Sequence, residues 1–162
     1  MDYILRKPTE TDGFELHRLV DRAGKLDKNS IYCNLLQFSH FADTAIVAER
    51  DGQLIGSVTG YRLPNNPQTL FIWQVAVDPD YRGIGLASKM LSSLTERLLD
   101  QGITHLETTI TRDNVASQKL FTRFFKRAGD SFTSEPYFES ETHFQNKAAT
   151  EYLYRSDLSQ LG

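Results

Sequence analysis

The sequence is poor in cysteine and contains no long apolar run. Its 162 residues include one cysteine, Cys33, so an intramolecular disulfide is excluded. No stretch approaches the roughly 18 consecutive apolar residues that a membrane-spanning helix needs. The start of the chain, MDYILRKPTE, has no apolar segment of the kind found in a signal peptide. We therefore expect a soluble cytoplasmic protein.

The chain also lacks a marked excess of charge of one sign. It has 18 Lys plus Arg against 21 Asp plus Glu, a formal net charge of −3, and the two signs are interleaved. Proteins that bind nucleic acid or a membrane surface depend on clustered Lys and Arg, so neither kind of partner is expected. With no repeat or linker, and enough residues for one hydrophobic core, the expectation is a single domain over residues 1–162.

The apolar pattern alternates between the periods of strands and of helices. Strands are predicted at 3–7, 45–50, 54–63, 69–77, 104–111, 132–138 and 151–157, with a loop at 64–67. Helices are predicted to start near Thr9–Asp12, at Asn29 or Ser30, near Gly83, and at Asp113 or Asn114. Asp51-Gly52 suits a hairpin turn. The order β-α-α-β-β-β-α-β-α-β-β predicts a mixed sheet flanked by helices.

A glycine turn, RGIGLA at 82–87, stands between the apolar strand 69–77 and the long helix that follows. Glycines allow the backbone to approach a ligand, and the helix N-terminus behind them favours an anion such as a pyrophosphate. A Rossmann fingerprint would need glycine where Ser88 stands, and a Walker loop is absent. The alternative is a glycine turn that only lets the chain leave the strand tightly.

The residues around this turn resemble those of the GNAT superfamily of acyl-CoA-dependent N-acetyltransferases. The family's V-x-P and R/Q-x-x-G-x-G/A motifs match Val77-Asp78-Pro79 and the segment 82–87, and a helix-capping Asn followed by Ala matches Asn114 and Ala116. The resemblance implies a single-domain α/β (α+β) fold with a mixed, mostly antiparallel sheet. It also implies that acetyl-CoA is the co-substrate, with its pyrophosphate at the glycine turn and its pantetheine arm along the edge of the strand.

The positions that the resemblance assigns to the cofactor lie on the strand end, the glycine turn and two helix starts. They are Val75, Ala76, Val77, Arg82, Gly83, Ile84, Gly85, Leu86, Ala87, Ser88, Asn114 and Ser117.

A narrower resemblance, to the diaminobutyrate acetyltransferases of ectoine biosynthesis, covers nearly the whole chain. The matching stretches are 26–30, 57–61, 73–77 and 105–117, the last reading HLETTITRDNVAS. This resemblance implies acetyl transfer to the side-chain amine of L-2,4-diaminobutyrate, an intermediate on the path to an osmolyte, by a homodimer. Two alternatives stay open: an acetyltransferase for another small diamine or amino acid, and a non-catalytic acyl-CoA-binding sensor domain.

Diaminobutyrate carries two amines and a carboxylate, so a selective site needs acidic groups and hydrogen-bond donors. Asp27 and Glu151 are the acidic candidates, Thr109 and Asn114 can contact the carboxylate, and an indole at Trp73 can pack on the substrate or face its ammonium group. Asn29 also belongs to the candidate substrate residues. The alternatives are core packing for Trp73 and a helix-cap or loop role for Asp27.

The reaction needs an unprotonated amine, whereas a free alkyl amine with a pKa of roughly 10.4 is mostly protonated at neutral pH. Glu151 is the candidate base, directly or through a water, and the backbone N–H of Val75 is the candidate oxyanion donor. Where many family members have a tyrosine to protonate the thiolate, this chain has Phe121. Tyr32 and Tyr61 are the candidates for that role.

The chain departs from the family again near Glu151. Ala148 stands where the resemblance implies a histidine, and His143 can compensate only if the intervening loop folds back; otherwise it is a solvated loop residue. The remaining histidines form no pair with the spacing of metal ligands, so no metal is expected.

Overall fold

The predicted order of strands and helices is confirmed. The computed structural model describes residues 2–129 and 131–161, and within them it contains the following elements. The strands are β1 (Ile4–Arg6), β2 (Ile46–Arg50), β3 (Gln53–Leu63), β4 (Asn66–Val77), β5 (His105–Ile110), β6 (Phe132–Phe138) and β7 (Glu151–Asp157). The helices are α1 (Gly13–Ala23), α2 (Ile31–Gln37), α3 (Leu86–Leu99) and α4 (Val115–Arg127). Within the same residues, no helix is long and apolar enough to cross a membrane.

The strands form one sheet in the order β1-β2-β3-β4-β5-β7-β6. Four ladders, β1–β2, β2–β3, β5–β7 and β6–β7, are antiparallel, whereas β4 and β5 are parallel. A parallel pair needs a long crossover connection, which α3 provides in the chain order. The sheet is therefore mixed and mostly antiparallel, as expected.

Contacts within the chain define two compact units. The first comprises Met1–Tyr61 with Trp73–Leu98, and the second comprises Arg62–Ile72 with Leu99–Gly162. In the first unit, α1 and Phe38, the residue that follows α2, contribute apolar side chains to a buried cluster with the strands. The buried cluster there consists of Leu16, Leu19, Val20, Phe38, Ala45, Val47, Leu54 and Ala76, with Leu26 packed against it.

The second unit is built on the β5–β7–β6 ladder and an aromatic cluster. Phe125 of α4 stacks on Phe132 of β6 at 5.3 Å between ring centroids, and Phe132 stacks on Tyr154 of β7 at 6.1 Å. Phe121 and Phe124 pack against Phe125 from the same helix. Because aromatic side chains bury much apolar area, this cluster fixes α4 on the late strands.

Two predicted boundaries are wrong, and each error has a local cause. The predicted loop at 64–67 is only a two-residue turn at Pro64 and Asn65, since Asn66 and Pro67 already belong to β4. Pro67 lacks a backbone N–H, but it lies before the first β4–β5 pair, Thr69 with His105, where a missing donor is tolerated.

The helix predicted from Gly83 begins at Leu86, because Gly83 and Gly85 have positive φ angles that an α-helix cannot contain. The first helix starts where predicted: Asp12 is its N-cap, and a 3₁₀ turn at Glu10–Asp12 precedes it, in which the Asp12 carboxylate accepts a hydrogen bond of 2.8 Å from the Thr9 N–H.

Candidate active site

The glycine turn of the first unit owes its conformation to glycine. Gly83 and Gly85 have φ angles of +78° and +76°, and a Cβ atom at either position would meet no other atom within 4 Å. Packing therefore does not require these glycines; the positive φ does. The open space beside them leaves the backbone of the turn accessible to a ligand.

The N-terminus of α3 follows this turn directly. The Lys89 N–H donates to the Gly85 carbonyl at 3.0 Å, which closes the first turn of the helix. Within that turn, the first N–H groups have no intrahelical acceptor, and they carry the positive end of the helix dipole. Leu86 buries its side chain in the core, whereas Ile84 is exposed. The turn can thus present backbone donors to an anion.

Arg82 connects the glycine turn to α1. Its Nη2 donates to the Ala23 carbonyl at 2.7 Å, at the end of α1. A second link lies next to it: Arg22 Nε donates to the Asp78 carboxylate at 2.9 Å, and Arg22 Nη2 donates to the Leu54 carbonyl at 3.0 Å. The sequence alone did not reveal these contacts. They hold the end of β4 and the glycine turn against α1.

The last part of β4 continues beyond its ladder with β5. That ladder pairs Thr69–Ile72 of β4 with His105–Thr108 of β5, and the following residues 73–77 belong to the first unit. Ala76 points into the core, whereas Val75 and Val77 are half-buried. The backbone of 75–77 is therefore placed, by its own unit, at the start of the glycine turn.

The loop between α1 and α2 is held by Gln74. The Gln74 amide donates to the Asp27 carbonyl at 2.9 Å, and Leu26 packs on the core. The Asp27 carboxylate is exposed and has no ion-pair partner among the residues that the structure describes. Ser30, not Asn29 or Asp27, caps α2 by accepting the Cys33 N–H at 3.0 Å. The helix-cap alternative for Asp27 is therefore wrong.

Trp73 follows the last β4–β5 pair and is 45% exposed. Its indole contacts the Tyr61 ring edge to face at 6.1 Å, and Tyr61 in turn contacts Phe41 at 6.1 Å. Because nearly half of its surface is exposed, Trp73 is not a core residue, and that alternative is wrong.

Tyr32, the candidate donor to the thiolate, lies on α2 and is 70% exposed.

In the second unit, Asn114 caps α4 as the sequence predicts. Its Oδ1 accepts the Ser117 N–H at 3.1 Å, which leaves the side-chain NH₂ group as a donor. Thr109 lies half-buried on β5, opposite Leu153 of β7. Since side chains alternate along a strand, Glu151 projects on the same face of the sheet as Leu153 and Thr109.

Glu151 is the first residue of β7 and is half-buried opposite Phe138 of β6. The segment before it is fixed by short-range hydrogen bonds. The Ser140 N–H donates to Thr150 Oγ1 at 3.0 Å, and Ser140 Oγ donates to the Ala148 carbonyl at 2.6 Å. These hydrogen bonds therefore fix the backbone that precedes Glu151.

The contacts of His143 are with residues just before it in its own segment. The imidazole contacts the Phe138 ring edge to face at 5.8 Å, and its Nδ1 accepts the Glu139 N–H at 2.8 Å. In the neutral ring this leaves the proton on Nε2. His143 thus lies beside Phe138, the strand partner of Glu151, but it stays exposed, as a solvated loop residue would.

Phe121 is 2% exposed and packs on Phe125 at 6.2 Å. It belongs to the aromatic core of the second unit and has no group that can donate a proton.

Residues 2–129 and 131–161 contain no group of three or more His, Cys, Asp or Glu side chains placed to hold a metal ion.

A strand, a glycine turn and a helix in succession, together with an asparagine-capped helix, define an acyltransferase of the GNAT class. The family model described as "Acetyltransferase (GNAT) family" matches residues 11–125. The chain therefore belongs to this family.

Within the family, the chain is similar to proteins of one activity. The chain is 44% identical over 158 residues to the L-2,4-diaminobutyric acid acetyltransferase of Vibrio cholerae, covering 98% of this chain and 91% of that protein. It is 44% identical to the protein of the same name from Methylotuvimicrobium alcaliphilum, covering 93% of this chain and 88% of that one.

Among solved structures, the chain resembles the diaminobutyrate acetyltransferase EctA from Paenibacillus lautus, determined in complex with L-2,4-diaminobutyric acid and coenzyme A. The TM-score is 0.87 and the identity is 33%, over 95% of this chain and 93% of that one.

Proposed function

We propose that this chain transfers the acetyl group of acetyl-CoA to the side-chain amine of L-2,4-diaminobutyrate, giving N4-acetyl-L-2,4-diaminobutyrate and CoA for ectoine synthesis. The observation that carries the proposal is likeness over nearly the full length to a protein solved with both L-2,4-diaminobutyric acid and coenzyme A. Fold alone would not support a substrate, but 44% identity to relatives named for this activity does.

Acetyl-CoA binds along the end of β4 and at the start of α3. Its pyrophosphate accepts hydrogen bonds from the backbone of Gly83, Gly85 and the first turn of α3, where the open space and the helix dipole favour an anion. Its pantetheine arm pairs with the backbone at Val75–Val77. Asn114, with its free NH₂ group, and Ser117 contact the cofactor from α4.

Diaminobutyrate is held by charges and polar groups that match its own. The exposed carboxylate of Asp27 takes an ammonium group, and the loop that carries it is fixed by Gln74. The half-open indole of Trp73 packs on the carbon chain. Thr109, Asn114 and Asn29 supply polar contacts to the substrate.

In the reaction, Glu151 takes a proton from the side-chain ammonium, directly or through a water. The freed nitrogen lone pair attacks the thioester carbonyl, and the Val75 N–H stabilises the oxyanion of the tetrahedral intermediate. That intermediate collapses with cleavage of the C–S bond, and the amide nitrogen loses its second proton to solvent. The CoA thiolate receives a proton from Tyr32.

Thiol release from acetyl-CoA tests this function. The purified chain is assayed with L-2,4-diaminobutyrate, L-ornithine, L-lysine, putrescine and no amine, and mass spectrometry locates the acetyl group. We expect turnover selective for diaminobutyrate and acetylation of its side-chain nitrogen. Turnover with another amine instead would assign the chain to a different small diamine or amino acid.

A non-catalytic acyl-CoA sensor is the outcome if acetyl-CoA binds and every amine is inert. The observation that favours this second candidate is the buried Phe121, which cannot protonate a thiolate.

We further propose a cytoplasmic homodimer. β6 is the outermost strand of the sheet, and two of its aromatic side chains, Tyr137 and Phe138, are exposed. A second copy that covers this edge would remove unpaired backbone groups and apolar area from water. Light scattering during size-exclusion chromatography gives the mass directly, and a monomer at micromolar concentration would contradict the proposal.

A further inference from the structure

The second unit contains a cleft that the proposed reaction does not use. Its volume is about 550 Å³, and it is lined by Arg112, Gln118, Ser134, Pro136, Tyr152 and Tyr154. Tyr152 and Tyr154 alternate with Glu151 and Leu153 along β7, so they project on the opposite face of the strand from Glu151. The cleft is therefore separate from the candidate general base.

Arg112 gives the cleft a positive charge that is held in place. Its Cζ lies 4.5 Å from the centroid of the Tyr152 ring, a cation–π contact that holds the guanidinium over that ring. Gln118 fixes the backbone beneath it, since its amide donates to the carbonyls of Thr111 at 3.0 Å and Arg112 at 2.8 Å. The guanidinium thus lies over Tyr152 on a backbone that Gln118 anchors.

Among the described residues, the Arg112 guanidinium has no ion-pair partner. Within residues 2–129 and 131–161, no carboxylate forms an ion pair with Arg112, and its N–H groups have no protein acceptor. The nearest acid in sequence, Asp113, accepts a hydrogen bond from Thr111 Oγ1 instead. Glu135 of β6 lies between Ser134 and Pro136 and projects on the other face of its strand. Among the described residues that line the cleft, none is acidic.

Further donors surround the guanidinium. The hydroxyl groups of Tyr152, Tyr154 and Ser134 belong to the lining, and none of them has a hydrogen-bond partner within the described part of the chain. The Tyr154 ring is itself fixed by stacking on Phe132. A planar guanidinium with its N–H edge free, flanked by phenol hydroxyls and aromatic faces, matches the geometry of a carboxylate or a phosphate.

We propose that this cleft binds a small oxyanion, a metabolite that presents a carboxylate or phosphate group to Arg112 and an apolar or flat part to Pro136 and the tyrosine rings. Its volume falls in the range of roughly 300–1,000 Å³ that is typical of small-molecule sites. The site does not depend on the proposed acetyl transfer, because no residue of the cleft takes part in that reaction.

Calorimetric titration of the wild-type chain with inorganic phosphate, acetate, citrate and L-glutamate tests the site and distinguishes the two oxyanion chemistries. We expect saturable binding of one of the two classes with a Kd below about 1 mM, which corresponds to about −4 kcal/mol. Binding should weaken as salt is raised, because the contact is charged. No saturable binding of either class up to about 10 mM would overturn the proposal.

Two variants locate the binding. Arg112→Met keeps an unbranched, flexible side chain and removes the guanidinium with its charge, and we expect the oxyanion to bind at least about 10-fold more weakly. Arg127→Met is the matched control, because Arg127 also lies over an aromatic ring, that of Phe124 at 5.9 Å, but does not line the cleft. Equal weakening in both variants would mean that only general charge attracts the ion.

Thermal unfolding of both variants checks that each is folded. Tyr152→Phe keeps the ring under Arg112 and removes one hydroxyl group, so we expect a smaller loss of oxyanion affinity than in Arg112→Met.

Titration with acetyl-CoA completes the test. If Arg112→Met weakens acetyl-CoA as much as it weakens the small oxyanion, the cleft is part of the cofactor site and the proposal is wrong.

Discussion

The candidate residues of the two units are held in place in different ways. In the first unit the hydrogen bonds join distant parts of the sequence: Gln74 reaches Asp27, 47 positions away, and Arg82 reaches Ala23, 59 positions away. In the second unit the Asn114 cap is local, since it accepts the N–H of Ser117, three positions away, although other side chains there, such as Arg155 on Glu107, also reach distant residues. Long-range contacts position loops that have no element of their own, whereas local ones define where an element starts.

Two of the proposed roles can be compared directly. The glycine turn and the loop with Asp27 serve binding, whereas Glu151 serves proton transfer. Substitutions in the glycine turn or at Gln74 should therefore change dissociation and Michaelis constants, and substitution of Glu151 should change kcat.

The largest effect is expected for Glu151→Gln. Loss of a general base typically lowers the rate by about 10²–10⁴-fold, so kcat should fall by that order while the Kd for acetyl-CoA stays the same. Steady-state kinetics and a cofactor titration measure the two quantities. Glu135→Gln is the control, because Glu135 is an exposed carboxylate on the neighbouring strand, opposite Leu153. An unchanged kcat in Glu151→Gln would remove this residue from the mechanism.

Gly85→Val should weaken acetyl-CoA binding by about 100-fold, which is the loss of two charge-assisted hydrogen bonds at about 1.5 kcal/mol each. The valine side chain would occupy the open space where the backbone meets the anion.

Gly52→Val separates this effect from backbone strain. Gly52 has φ +78°, nearly the +76° of Gly85, and its Cβ position is also open, but it lies in the hairpin turn between β2 and β3. Both variants should lose roughly 1–2 kcal/mol of stability, and only Gly85→Val should lose cofactor affinity. If both retain it, the turn does not bind the pyrophosphate.

The contrast between local and distant contacts also explains what the sequence could predict. Asn114 and Asp51-Gly52 were predicted correctly, because a helix cap and a hairpin turn depend on residue types a few positions apart. The start of α3 was predicted three residues early, because periodicity does not register that Gly83 and Gly85 adopt positive φ. Pro67 was assigned to a loop because its tolerance in β4 depends on where the partner strand begins.

The site residues divide in the same way. The candidate anion site at the glycine turn could be predicted, because its residues are consecutive in the sequence. The contact of Gln74 with the Asp27 carbonyl could not, since no local pattern links two residues so far apart. The cation–π contact of Arg112 with Tyr152 was missed for the same reason.

Gln74→Leu tests the distant contact itself. It removes the donor to the Asp27 carbonyl with little change in size, and one such hydrogen bond is worth about 1 kcal/mol, or about 5-fold in binding. We expect the KM for diaminobutyrate to rise by about that factor, with the Kd for acetyl-CoA unchanged. Gln68→Leu, an exposed position earlier on the same strand, is the control. An equal rise in KM in both variants would show that Gln74 does not position the loop.

The smallest effect concerns two carboxylates whose pKa values are both lowered, by different means. Arg6 donates two hydrogen bonds of 2.8 Å to the Asp12 carboxylate, and this guanidinium holds the pKa of Asp12 below its usual range. In the second unit, the Ser159 N–H donates to Asp157 at 2.8 Å and lowers the pKa of that carboxyl. The stabilisation from each is present above the ordinary carboxyl pKa of about 3.9 and is lost as the pH falls through the lowered pKa.

Salt distinguishes the two causes. Between about 0.1 M and about 1 M salt the Debye length shrinks from about 10 Å to about 3 Å, which weakens attraction between charges more than a hydrogen bond from a neutral backbone N–H. The pKa of Asp12 should therefore rise with salt by more than the pKa of Asp157, as measured by carboxyl-carbon NMR titration. Arg6→Met should raise the pKa of Asp12 and leave that of Asp157 in place. If the two carboxylates respond equally to salt and to Arg6→Met, the charge at Arg6 holds Asp12 no differently from the way the neutral N–H of Ser159 holds Asp157.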